Sequence, residues 1–131
     1  MVSPAAIGEA VDAAVAVNDY PVAVEMMLAA GIKRYHTDVK THTIVYSADD
    51  ADHTKAGEAP VPADEPAVTY DKARMKAADA AFARGDTDYT GFLRGLWHAG
   101  VVAYDVDLVE RTITFRGSQG ETRVVNVPRP N

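Results

Sequence analysis

The residues of this chain best suited to acid-base chemistry are His98, Asp105 and Asp107. An imidazole oriented by a carboxylate can take a proton from a substrate, which is the chemistry of a small hydrolase or isomerase. His98 is the candidate general base, with Asp105 or Asp107 as its partner. Asp88 is a poorer partner, because nearly three helical turns, about 15 Å, separate it from His98. The alternative role for His98 is to cap a helix C-terminus, where the helix dipole favours imidazolium.

The acidic residues and the histidines also raise the question of a metal site. Asp105 and Asp107 share one strand face near Glu110, and oxygen ligands of this kind bind Mg²⁺ or Ca²⁺. His36 and His42 fall on neighbouring predicted strands, but the four histidines fit no recognised zinc spacing. Surface charge explains the two aspartates more simply, since such side chains prefer solvent. We therefore predict no metal and no cofactor.

The aromatic residues offer a second kind of site. The candidates for lining a ligand pocket, through ring faces and polar groups, are Tyr35, Tyr104, Trp97 and His98. The alternative is that the tyrosines are core residues whose hydroxyls reach the surface. The chain has no nucleophile elbow, phosphate loop or dinucleotide fingerprint. The leading prediction is therefore a non-enzymatic module that binds a small molecule or a protein, and the small hydrolase or isomerase is the alternative.

An ungapped internal repeat indicates which elements position these residues. Residues 19–47 align with residues 88–116 at a constant shift of 69 positions, and eight of the 29 pairs are identical. Unrelated segments would share only about two pairs. We therefore predict a duplicated supersecondary unit, and the cleft between its two copies is the predicted place for a ligand or partner.

Residues that are identical in both copies are best explained by the needs of the scaffold. Asp19 and Asp88 fall at predicted helix starts, where a carboxylate accepts hydrogen bonds from free backbone amides. Asp38 and Asp107 fall where each hairpin turns, and the same kind of hydrogen bond is expected there. A reactive residue would more often occur in one copy only.

The hydrophobic pattern predicts an α+β fold in one domain spanning residues 1–131. Each unit consists of two helices followed by a β-hairpin, the first at about 4–47 and the second at about 71–128. Residues 48–66, rich in acidic side chains and proline, form the predicted exposed linker between them. We expect the strands to form an antiparallel sheet with the helices packed on one face.

Charge and hydropathy limit the partners. Thirteen basic and nineteen acidic residues leave a formal net charge of −6, which repels phosphate backbones, so no nucleic acid is expected as a partner. No apolar run reaches the roughly 20 residues that span a bilayer, and the start lacks the basic region of a signal peptide. We therefore predict no membrane partner and a cytoplasmic location, which the absence of cysteine fits. An exposed strand edge or the helices offer a route to a homodimer.

A set of residues concentrated in the second half forms a family-like pattern. Its members are Gly85-Asp86-Thr87-Asp88-Tyr89, Phe92, Ala99-Gly100-Val101, Tyr104, Asp107, Thr112, Phe115, Gly117 and Val127-Pro128. Over about residues 75–128 the chain thereby resembles the YbcV-like family of small bacterial proteins of unknown function. The resemblance implies an α+β fold. It does not indicate any particular activity, because the function of the family is unknown. Some members carry the label phage envelope protein, which implies a phage-related structural role as a second alternative.

The chain departs from this family pattern at one point that matters for chemistry. Where many members place His-Gln ahead of the glycine, this chain has Phe82-Ala83. Any chemistry that the family assigns to that histidine is therefore not carried over.

Overall fold

The computed structural model of the chain describes residues 3–17 and 20–126. Within them the elements are α1 (Pro4–Val17), α2 (Tyr20–Ala29), β1 (Arg34–Asp38), β2 (Thr43–Ser47), β3 (Asp52–Ala56), α3 (Lys72–Ala83), α4 (Tyr89–His98), β4 (Val101–Asp107), β5 (Thr112–Gly117) and β6 (Thr122–Asn126). The order helix, helix and three strands thus occurs twice. None of the described helices has the length and the apolar character needed to cross a membrane. Asp19 and the segment Val127-Pro128 lie outside the described residues.

The six strands form one antiparallel sheet in the order β3-β2-β1-β4-β5-β6. The predicted α+β fold with an antiparallel sheet is confirmed. The two central strands, β1 and β4, come from different halves of the chain, and His36 on β1 lies directly opposite Asp105 on β4. The same two residues are aligned in the internal repeat, so the sheet is laid out symmetrically about this pair. The duplication itself stays a prediction, as does a homodimer through the edge strands β3 and β6.

The segment 48–66 differs from the exposed linker that the sequence predicts. Residues 52–56 form β3, which pairs with β2, and Pro60 and Val61 are buried. Arg94 on α4 donates a hydrogen bond from Nε to the carbonyl of Pro60, at 2.9 Å. The physical reason is that the outer edge of β2 offers unpaired backbone groups, which an extended segment satisfies whatever its side chains are. Composition alone does not reveal such a partner.

The core lies between the helices and one face of the sheet. The buried residues of α4 are Phe92, Leu93, Leu96 and Trp97. They belong to one hydrophobic cluster with sheet residues on alternating positions, which are Tyr35, Ile44, Tyr46, Tyr104, Val106 and Phe115. Because successive side chains of a strand point to opposite faces, the residues between these positions lie on the other side of the sheet.

This other side, which we call the open face, is not part of the hydrophobic cluster and is mainly polar. Its residues on the four inner strands are Arg34, His36, Asp38, Thr43, Val45, Ser47, Ala103, Asp105, Asp107, Thr112, Thr114 and Arg116. In β1 the alternation is complete, since Tyr35 and Thr37 are buried while the three residues of the open face are exposed. The fold therefore presents a polar surface built on rigid, fully paired strands.

The core residue Tyr104 and the partly buried Tyr89 share a hydrogen bond between their hydroxyls. Burial raises the pKa of both phenols, so both stay neutral. We expect Tyr104→Phe to lower the free energy of unfolding by about 1 kcal/mol, because the Tyr89 hydroxyl then loses its partner. The matched control is Tyr70→Phe, which removes a buried hydroxyl that has no hydrogen-bond partner among the described residues and should leave stability unchanged or raised. Urea denaturation measures both; equal losses would contradict this prediction.

Candidate functional site

The centre of the open face carries three polar side chains, two of which are hydrogen-bonded to the third, Asp105. Nδ1 of His36 lies 2.5 Å from Oδ1 of Asp105, and Nε of Arg116 donates to Oδ2 of Asp105 at 2.5 Å. The two carboxylate oxygens of Asp105 therefore have different partners. The His36 side chain is 49% exposed, and its Nε2 forms no hydrogen bond within the described residues. We call His36, Asp105 and Arg116 the central cluster.

The strand register explains why these three residues meet. His36 and Asp105 are directly opposite on β1 and β4, where Cβ atoms are about 4.5 to 5.5 Å apart. Arg116 on β5 is opposite Ala103, two residues from Asp105 on the same face, so its long side chain reaches the carboxylate diagonally. Each side chain is thus positioned by one of the inner strands β1, β4 and β5 and not by a loop.

Opposing effects act on the Asp105 carboxyl. Partial burial raises its pKa, but the hydrogen bonds and charges of His36 and Arg116 outweigh burial and hold the pKa below its usual value. The carboxylate is therefore ionised at neutral pH, and its charge is balanced inside the central cluster. With Nδ1 of His36 engaged by the carboxylate, Nε2 is the ring nitrogen that remains for a ligand.

This depressed pKa predicts how stability depends on pH. A carboxyl with a lower pKa in the folded than in the unfolded state stabilises the fold above its unfolded pKa, near about 3.9, and this contribution is lost as pH falls through the folded pKa. We expect the wild type to melt at a higher temperature than Asp105→Asn above about pH 5. The gap should close as the pH falls towards about 2. Calorimetric scans across this range test it, and a gap that is independent of pH would contradict it.

Beside the central cluster the open face has a depression with a volume of about 390 Å³. This size lies within the range of roughly 300 to 1,000 Å³ that is common for small-molecule sites. Its polar lining includes Arg34, His36, Asp107, Thr112 and Thr114. The depression extends across β2, β1, β4 and β5, so it lies at the junction between the two halves of the chain.

The structure does not bring His98 to the carboxylates that the sequence suggested as its partners. His98 is the last residue of α4, on the helix side of the sheet, and its Nε2 lies 3.3 Å from Oε2 of Glu65. Asp105 and Asp107 lie on the open face instead. The reason is the alternation of β4, which places both aspartates on the face that the helices do not cover. The predicted pairing of His98 with a hairpin carboxylate is therefore replaced by His36 with Asp105.

The aspartates at the two hairpin turns form the expected scaffold hydrogen bonds. Oδ1 of Asp38 accepts from the backbone amide of Thr41 at 3.2 Å, and Oδ1 of Asp107 accepts from the amide of Glu110 at 2.9 Å. Asp88 likewise caps α4, since its Oδ1 accepts from the amide of Gly91. Asp107 also lines the depression of the open face.

The aromatic candidates have different environments. Tyr104 and Trp97 are buried in the core, and the Tyr104 hydroxyl is bonded to that of Tyr89 instead of reaching the surface. Trp97 has its ring Nε1 buried without a hydrogen-bond partner among the described residues, and Nζ of Lys40 lies 5.4 Å from its ring centroid. Tyr35 is buried too, but it also contributes to the lining of the depression.

The histidines considered for metal binding do not converge. His36 lies on the open face, whereas Nδ1 of His42 is 2.9 Å from the carbonyl oxygen of Glu58 and its ring packs against Tyr89 on the helix side. Across residues 3–17 and 20–126, no group of three or more acidic or histidine side chains is placed to hold a metal ion.

Sequence reasoning missed His36 as the partner of Asp105, although a signal was present. The two residues occupy the same position in the two copies of the repeat, at the constant shift of 69. If equivalent strands from two copies pair antiparallel, one position on each strand lies opposite its own equivalent. His36 and Asp105 are that position. The signal becomes visible only once β1 and β4 are known to be neighbours.

Comparison with known proteins identifies a family without an assigned function. Residues 9–125 match the family described as "Protein of unknown function (DUF1398)". The chain belongs to this family. Uncharacterized proteins of Mycobacterium bovis and Mycobacterium tuberculosis are each 27% identical to it over 107 residues, which is 82% of this chain and 65% of each relative. The predicted membership in a family of unknown function is confirmed, while the YbcV-like name stays a prediction.

Proposed function

We propose that this member of the DUF1398 family is a binding module that holds a small polar molecule on the open face of its sheet. One observation carries the proposal. His36 is held at Nδ1 by Asp105, and it lines a depression of about 390 Å³ at the junction of the two halves. An oriented hydrogen-bonding group beside a concave surface is the basic requirement of a small-molecule site.

The central cluster supports binding because it is ordered before a ligand arrives. Asp105 is held from two sides, by His36 and by Arg116, so the imidazole orientation is set in the free protein. Each side chain that must be immobilised on binding costs about 0.5 to 1.5 kcal/mol, and a preorganised group avoids this cost. Because these groups lie on strands of the sheet and not on loops, their geometry is precise.

The second candidate function is a small hydrolase or isomerase in which His36 replaces His98 as the general base. The 2.5 Å contact between His36 and Asp105 favours it, since carboxylates orient catalytic imidazoles in this way. However, Arg116 also binds the carboxylate and reduces its ability to stabilise an imidazolium. Among the described residues, the serine and threonine side chains that line the depression are Ser47, Thr112 and Thr114, and none of them has a hydrogen bond to His36. Binding without chemistry is therefore the better-supported function.

A thermal-shift screen of polar metabolites on wild-type protein and two variants tests the proposal. A ligand at 100 times its Kd stabilises the fold by about 2.7 kcal/mol, which is readily visible as a rise in melting temperature. We expect at least one compound to give this rise in the wild type and His98→Gln, and a rise at least halved in His36→Gln. His98→Gln is the matched control, because His98 is an exposed histidine away from the depression.

Two results would overturn the proposal. One is the absence of any stabilising compound. The other is a ligand whose stabilising effect persists in His36→Gln or disappears in His98→Gln. Either result would show that the ligand binds away from the open face. If the wild type converts a stabilising compound into a product and His36→Gln does not, the enzyme is favoured over the binding module.

A further inference from the structure

The charged side chains that border the depression are divided by sign between two strands. The positive Arg34 lies on β1, next to the imidazole of His36 on the same face, whereas the negative Asp105 and Asp107 lie on β4. The charge of Asp105 is balanced inside the central cluster by Arg116 and the imidazole. Arg34 and Asp107 are therefore the two charges that the depression offers to a ligand, one positive and one negative.

These two charges are close together in the fold but do not pair. Arg34 and Asp107 are directly opposite on adjacent strands. Yet Arg34 forms no ion pair among the described residues. On the same face, Asp105 pairs with both His36 and Arg116. The turn explains this, because the amide of Glu110 binds Oδ1 of Asp107 and fixes the orientation of its carboxylate. A positive and a negative group thus remain available side by side.

We infer that the depression takes a small zwitterion, an α-amino acid, whose carboxylate binds Arg34 and whose ammonium group binds Asp107. This inference rests on the proposed function and specifies its ligand. A guanidinium matches a carboxylate with two parallel hydrogen bonds, and an ammonium group supplies the donors that a carboxylate accepts. His36 and Thr112 line the same space, and their side chains carry polar groups for further hydrogen bonds.

Ligands with a single charge fit this arrangement less well. A simple carboxylate would pair with Arg34 but would place its negative charge next to Asp107. A simple amine would pair with Asp107 but would place its positive charge next to Arg34. A phosphate ester would add a second negative charge next to Asp107, on a chain whose net charge is −6. Because juxtaposed like charges cost binding energy, the depression discriminates in favour of a ligand that carries both signs.

The test is a titration of isotope-labelled protein with the twenty amino acids, followed by NMR. The best amino acid is then compared with its analogue that lacks the ammonium group and its analogue that lacks the carboxylate. We expect saturable shifts of backbone amides in β1 and β4 with the amino acid, and at least tenfold weaker binding of both analogues. Arg34→Gln and Asp107→Asn should each weaken the binding of the amino acid at least tenfold.

Asp38→Asn is the matched control for Asp107→Asn. Asp38 occupies the equivalent position in the first half, forms the same turn hydrogen bond and lies on the same face, but it does not line the depression. Asparagine keeps the accepting oxygen at both turns, so both variants should fold. We expect Asp38→Asn to bind the amino acid like the wild type.

The possible outcomes separate this inference from the proposed function. If no amino acid binds, but another metabolite binds and depends on His36, the zwitterion is wrong and the binding module stands. If an amino acid binds as tightly to Arg34→Gln and Asp107→Asn as to the wild type, the assigned contacts are wrong. If no compound binds at the open face, both are overturned.

Discussion

Replacing Gly100 with alanine is expected to lower the free energy of unfolding by about 3 to 4 kcal/mol. Gly100 has a φ of +82°, a left-handed conformation that costs a residue with a Cβ atom about 1 to 2 kcal/mol. The added Cβ would also lie 2.5 Å from the backbone N and Cα of Tyr70. Overpacking of this kind costs about 1 to 3 kcal/mol. Because the obstacle is backbone and not the end of a flexible side chain, a rotamer change cannot relieve it.

Gly85→Ala is the matched control for this prediction. Gly85 has a similar φ of +77°, but no atom lies within 4 Å of the position that a Cβ would occupy. Its substitution should therefore cost only the conformational part, about 1 to 2 kcal/mol. Urea denaturation of both variants isolates the contact with Tyr70 as the difference between them. If the two variants lost equal stability, the contact of the added Cβ with the Tyr70 backbone would not contribute to the loss.

The position of Gly100 connects this prediction to the candidate site. The glycine follows α4 and immediately precedes β4, the strand that carries Asp105. The backbone amide of Asp71 donates to the carbonyl of Ala99 at 2.7 Å, and the amide of Ser118 donates to that of Gly100 at 2.8 Å. Three segments of the chain therefore meet here, and a shift of Gly100 would displace the start of β4.

The second large effect concerns the ion pair between Arg111 and Glu25, which joins the β4–β5 hairpin to α2. The side chain of Arg111 is 7% exposed and that of Glu25 is 51% exposed. We expect Glu25→Ala to lower the free energy of unfolding by about 2 to 3 kcal/mol, because a buried guanidinium is left without its carboxylate. Arg111→Met should cost less than about 1 kcal/mol, because the carboxylate left behind is hydrated and the methionine fills the buried space.

Denaturation of the two single variants and of the double variant measures this asymmetry. The Arg111→Met substitution should remove most of the cost of Glu25→Ala, so the double variant should be more stable than Glu25→Ala alone. Equal costs for the two single variants would show that the pair stabilises the fold by mutual attraction and not by satisfying a buried charge. Alanine at position 25 is itself a good helix former, so α2 does not lose helix propensity.

The candidate site could be predicted in part. The sequence named Asp105 and the junction of the two halves as candidates, which stay predictions, and it assigned to Asp38 and Asp107 the turn hydrogen bonds that the structure contains. It chose His98 as the imidazole, although the structure pairs Asp105 with His36. A histidine next to a buried tryptophan on a helix is conspicuous in a sequence. A histidine in an alternating strand is not, until the strand opposite is known.

The amino-acid sequence by itself determined the helices, five of the six strands and their turns, including a last strand predicted at 121–127 where the structure has β6. These elements depend on interactions within a few residues, such as side-chain alternation and hydrogen bonds from aspartate to nearby amides, which a sequence pattern records directly. Only the tertiary structure decided that residues 52–56 pair with β2, that β1 lies beside β4, and that the helices leave one face open. These features depend on which distant segments best bury apolar surface and satisfy backbone groups, a property of the whole chain. The meeting of His36, Asp105 and Arg116 follows from that choice.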